Sequence, residues 1–126
     1  MIAFATLTLS RDQTRKLIDY CTRLDYEYEL WAGDVKDQSR SGDIFKRRAR
    51  NGSHCTALDL ALKQTRRGDI AIDRALLGGI MTDLTWLVEE WYSAIGDMDS
   101  RDAASYRPRI PALERFIKML EDKTAV

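Results

Sequence analysis

Apolar positions recur along most of this chain at the spacing of a helix. Leu17, Cys21, Leu24, Tyr28 and Trp31 follow one another at intervals of four, three, four and three residues, which is one face of a 3.6-residue repeat. Ser10-Arg11-Asp12-Gln13 stands before them in capping-box form, with a Ser oxygen for an orphan N–H and a Gln to reach back. With Gly33 as a stop, the pattern predicts a helix over 11–32. A second is predicted over 55–67, with Leu58, Ala61 and Leu62 inward and Arg66-Arg67-Gly68 at its end. Cations suit the C-terminal dipole there, and Gly suits a left-handed cap. The third predicted helix starts behind Asp69 as its cap and runs to Ile95, where Gly96 closes it. Its apolar face is Leu76, Leu77, Ile80, Met81, Leu84, Leu87, Val88, Trp91 and Ile95. A last helix is predicted over 111–122, with Pro111 in its first turn and Leu113, Phe116, Ile117 and Leu120 inward.

The remaining stretches do not follow this period. Residues 2–9 alternate like a short strand, but no second strand candidate stands out, so they read as an extended arm or as an edge that pairs only across a dimer. Residues 33–53 are polar and carry Gly33, Gly42 and Gly52, which reads as a long connection with one helical turn at Ile44 and Phe45. Residues 97–102 read as a loop. Gly78-Gly79 sits inside the third helix, where each Gly costs about 1 kcal/mol relative to Ala. Either the helix breaks there or something packs closely on the glycines. The expected fold is all-α: an irregular four-helix bundle in a single domain, 1–126, with a short extended N-terminal arm (1–10) and a long polar connection (33–53) between helices one and two.

Composition narrows the function classes. The 126 residues are 44% hydrophobic, ordinary for a globular chain. No apolar run approaches the ~20 residues a membrane helix needs. The start, Met1-Ile2-Ala3-Phe4, has no basic n-region, so the expected compartment is the cytoplasm and no membrane partner is expected. The 20 basic and 20 acidic residues cancel, so binding to nucleic acid has to come from a local patch. The cancellation hides a polarity: residues 36–67 carry a balance of +6 and residues 69–102 one of −6. Such halves either face each other within the fold or orient a partner during encounter.

The basic half contains Lys46-Arg47-Arg48-Ala49-Arg50, with Arg40 before it and His54 after it. Clustered cations are suited to phosphate, although Phe45 alone offers a stacking ring. Within it, Arg48 lies six residues before His54 on the run into a helix. That phrase resembles the Arg-then-His signature of HEPN-type ribonucleases, small helical bundles that usually dimerise. The resemblance covers seven residues and implies RNA cleavage in which Arg48 holds phosphate and His54 serves as acid or base. Other catalytic and metal patterns fail. His54 and Cys55 are adjacent, so their side chains diverge, and there is no second His. Asp97-Met98-Asp99 opens like a calcium loop but has Arg101 at the fifth position. Glu89 and Glu90 are helix neighbours that cannot share one site. No cofactor, metal site or enzyme activity is therefore expected from the leading reading.

That reading comes from the third helix. At 100° per residue, Ala75, Gly79, Thr82, Trp86 and Ser93 fall opposite its main apolar face. Small residues admit a close approach, and a Trp beside them makes an anchor. Tyr26 and Leu30 lie outside the stripe of the first helix and widen such a surface, whereas Trp31 and Trp91 lie on the core stripes. The expectation is a non-enzymatic protein-binding module, such as an inhibitor, immunity, anti-defence or adaptor protein, or a homodimer. RNA binding or cleavage through Lys46, Arg47, Arg48, Arg50 and His54 is the alternative.

Overall fold

The computed structural model describes residues 6–34, 38–97 and 99–125, and it gives the backbone alone for 31–34, 38–41, 97 and 100. The chain is all-α. Its described elements are β1 (Thr6–Leu9), α1 (Arg11–Asp34), α2 (Gln38–Gln64), β2 (Ile70–Asp73), α3 (Arg74–Asp97), α4 (Ser100–Tyr106) and α5 (Arg109–Thr124). Contacts divide it into two units, Met1–Ile80 and Met81–Val126. The first five residues of the expected arm, and the side chains of Trp31 and Arg40, lie outside the described residues.

In the first unit, α1 starts as its capping box dictates. The Ser10 Oγ accepts from the Gln13 N–H at 3.1 Å, and the Ser10 N–H donates to the Gln13 Oε1 at 2.9 Å. Leu17, Cys21, Leu24 and Tyr28 are all fully buried. Helix α2 runs antiparallel to α1. Arg11 at the start of α1 donates to the Thr65 carbonyl just past the end of α2, while Arg48 early in α2 meets Asp25 late in α1.

Two expectations need correction here. The polar stretch 38–53 is not a connection but the first four turns and more of α2. Its inward positions are Ile44, Asn51 and Leu58, seven residues apart, at 3%, 1% and 0% exposure. Asn51 occupies the middle slot of that stripe. Its Nδ2 donates to the Cys21 carbonyl at 2.8 Å, so a polar residue holds a core position that an apolar pattern cannot reveal. Gly42 and Gly52 sit within the helix and face open space.

The second correction concerns the arm. Thr6–Leu9 pairs within the chain, antiparallel to β2, with Leu7 opposite Ile72 and Leu9 opposite Ile70. Those four side chains are the buried ones, and Thr8 and Ala71 face outward. The pairing of two short alternating strands on one buried face sets the register. Gly68 takes φ +75 before β2, the left-handed conformation its lack of a Cβ permits. Helix α3 consequently begins later than expected, behind Asp73 instead of Asp69. The Asp73 Oδ1 accepts from the N–H groups of Ala75 and Leu76 at 2.8 and 3.1 Å. The strand β2 packs against α2.

In the second unit, α3 continues without a break past its glycines to Asp97. The expected loop 97–102 gives way to the short helix α4, capped by the Asp99 carboxylate on the Asp102 N–H at 2.9 Å. Trp91 meets Tyr106 edge to face, with ring centres 6.0 Å apart. Helix α5 begins two residues before the expected Pro111 and ends two beyond the expected 122. It buries Leu113, Phe116, Ile117 and Leu120 as expected, and Ile110 as well.

Candidate interaction surface

On α1, Tyr26 and Leu30 stand one turn apart on the side away from Leu17, Cys21, Leu24 and Tyr28. They are 49% and 44% exposed. The Arg23 guanidinium lies over the Tyr26 ring, 5.3 Å from its centre, and Arg23 also pairs with buried Glu27 at 3.0 Å. The ring is thus contacted on one face by a neighbour that is itself ion-paired. Phe45, early in α2, is 74% exposed.

On α3, Ala75, Thr82 and Ser93 are exposed, as their position opposite the apolar face requires, and Trp86 is half-buried. Gly79 is different. A Cβ placed there would meet the His54 ring, 3.2 Å from Cε1 and 3.4 Å from Nε2. The close approach implied by the small residue is therefore filled from within the chain, by an imidazole on α2. Gly78 faces open space. Of the five positions expected to bind a partner, Trp86, Thr82, Ala75 and Tyr26 retain exposed surface, and Gly79 lies under His54.

The basic cluster is spread around α2 because a continuous helix turns 100° per residue. Arg48 faces α1, where its Nε meets the Asp25 Oδ1 at 3.1 Å and its Nη2 lies 3.8 Å from the Glu29 Oε2. His54, six residues on, projects about 240° around the helix, onto Gly79. The Arg48–His54 pair implied by the ribonuclease resemblance thus parts to different neighbours. The loop assumed for these residues had left their directions open, and the helix fixes them apart. Arg47 pairs with Asp43 at 3.0 Å. Burial works against its charge, but Asp43 and the Tyr28 hydroxyl more than offset this and raise its pKa. Lys46 and Arg50 are exposed.

Sequence reasoning missed the seam between α1 and α2 as a place where chemistry gathers. Beside Asn51 on Cys21 stands Cys55, one turn further along α2 and half-buried. Its thiol is hydrogen-bonded to that of Cys21, which lowers its pKa, while burial and the Asp25 charge act in the opposite direction. The only available signal was Cys55 four residues after an Asn, and reading it required knowing that 38–53 is helical. Other buried polar side chains are Thr14, Glu27 and Asp83. In the second unit, Thr85, Val88, Glu114, Ile117, Lys118 and Glu121 line a shallow cavity of about 290 Å³. Among the described residues, no group of three or more His, Cys, Asp or Glu is placed to hold a metal ion. No described helix is long and apolar enough to cross a membrane.

Set against protein-family models, curated protein sequences and solved structures, the chain matches none of them.

Proposed function

We propose that the chain is a non-enzymatic protein-binding module that acts in the cytoplasm by covering a partner's surface. This is the kind of role filled by small inhibitors, immunity and anti-defence proteins, adaptors and homodimers. The observation that carries the reading is the outer face of α1. Tyr26 and Leu30 present two large apolar side chains at helical spacing on a face that its own unit does not cover. An exposed Leu alone is ordinary. An aromatic with one turn between it and a Leu, steadied by Arg23, has the form of an anchor pair. Trp86, half-buried beside exposed Thr82, is the second anchor on this reading.

Exposed Lys46 and Arg50 favour a second reading, RNA binding or cleavage with Arg47, Arg48 and His54. It has less behind it, since Asp43, Asp25 and Glu29 already meet Arg47 and Arg48.

The test is capture from nuclease-treated lysate of the native host. Wild type is compared with the Tyr26→Asp/Leu30→Asp double variant and with Trp86→Arg. The expected result is one protein held in stoichiometric amount by wild type and lost by the α1 variant at unchanged helical circular dichroism. Nucleic acid retained from untreated lysate, with affinity falling steeply as salt rises and no protein bound, favours the second reading. Any cleavage then has to vanish in His54→Ala. Unfolding of Trp86→Arg returns Trp86 to the core.

A further inference from the structure

The seam between α1 and α2 holds two thiols. Cys21 is fully buried on the inner face of α1, and its carbonyl accepts from the Asn51 Nδ2 at 2.8 Å. Cys55 is one turn beyond Asn51 on α2 and half-buried. Ion pairing of Arg48 with Asp25, one turn past Cys21 on α1 and about two turns before Cys55 on α2, holds the same seam. Both contacts tie the two helices together within two turns of Cys55. One thiol is open enough to meet a small oxidant, and the other is shielded and already in hydrogen-bonding contact with it. That division of labour is the one required of an attacking and a resolving cysteine.

We propose that Cys21 and Cys55 form a redox-responsive dithiol that closes to a disulfide between α1 and α2 when the protein meets a peroxide. The Cys55 thiolate attacks one peroxide oxygen; the S–O bond forms, the O–O bond breaks, and hydroxide leaves. The Cys55 sulfur is now a sulfenic acid. The Cys21 sulfur, giving up its proton, attacks the Cys55 sulfur; the S–S bond forms, the S–O bond breaks, and water leaves. Two thiols lose two electrons, and hydrogen peroxide is reduced to two waters. The shared hydrogen bond helps the first step, because a donor on the Cys55 sulfur favours its thiolate over the opposing effects of burial and Asp25. A dithiol reductant reverses the closure by exchange. The consequence is a covalent lock on the helix that carries Tyr26 and Leu30, independent of whether those residues bind a partner.

The test treats the full-length folded protein with hydrogen peroxide and then counts thiols by alkylation under denaturing conditions. Wild type is expected to go from two alkylated cysteines to none, to lose the mass of two hydrogens, and to yield a crosslinked peptide pair containing Cys21 and Cys55. Dithiothreitol should restore both thiols. In Cys21→Ala, the sulfenic acid on Cys55 should persist and be trapped by dimedone at least tenfold more than in wild type. The proposal is overturned by wild type that keeps both thiols, by equal dimedone trapping in the two proteins, or by disulfides found only between molecules. If Cys21→Ala fails to fold, the crosslinked peptide pair and the thiol count of wild type decide alone.

Discussion

Gly78 and Gly79 are adjacent on α3, yet their surroundings are opposite. Nothing lies within 4 Å of a Cβ at Gly78, whereas one at Gly79 meets the His54 ring at 3.2 Å. Gly78→Ala should therefore raise stability by about 0.5–1 kcal/mol through helix propensity alone. Gly79→Ala should gain less or lose stability, and the gain should return in a His54→Ala background; urea unfolding of the four proteins makes the comparison. Asn51 yields a related prediction. Asn51→Ala removes a buried hydrogen bond and leaves a void, at a cost of roughly 1–3 kcal/mol. Asn51→Leu should cost less than Asn51→Ala by the same measurement, since it fills the slot between Ile44 and Leu58 with an apolar side chain. At Cys55, the hydrogen bond with Cys21 holds the thiol pKa below its ordinary value. Its alkylation rate should accordingly reach half-maximum at a lower pH than for an ordinary thiol. Cys21→Ala removes the larger of two lowering influences and leaves burial and Asp25 opposed by a backbone hydrogen bond alone, so the midpoint should move up.

At the scale of elements, β1 and β2 show where periodicity is too short to read. Ile70-Ala71-Ile72-Asp73 alternates over only four residues, and the same isoleucines fit the start of the helical stripe that follows them. Only the partner strand, more than sixty residues away, decides between the two. Asp73 then does the capping that Asp69 was expected to do, so Asp73→Ala should cost about 1 kcal/mol in urea unfolding, and Asp69→Ala should cost little. Helix α1, α5 and the body of α3 were legible because their stripes are apolar throughout. The first half of α2 was not, because Asn51 sits in its core stripe and two glycines interrupt it. The same error hid the α1–α2 seam. Without α2 as a continuous helix, Cys55 had no direction, and Arg48 and His54 had no fixed angle between them. Tyr26 and Leu30 were legible as outward residues because α1 was.

For the whole molecule, part of the basic charge of 36–67 is offset within that stretch and by α1. The cations of α2 find carboxylates within α2 and on α1: Arg47 with Asp43, Lys63 with Asp59, and Arg48 with Asp25 and Glu29. These pairs are largely solvent-exposed and contribute little each to stability. Their effect is to lower the positive field available to a phosphate backbone. The most direct measurement is site-specific photocrosslinking in the native host, with a photoreactive amino acid placed at Tyr26 and, as a control, at Leu60, which is also exposed but lies on α2. The account predicts a single protein adduct from position 26, absent from position 60, whose mass tells a foreign partner from a second copy of the chain. No protein adduct from position 26, or the same adducts from both positions, would contradict it.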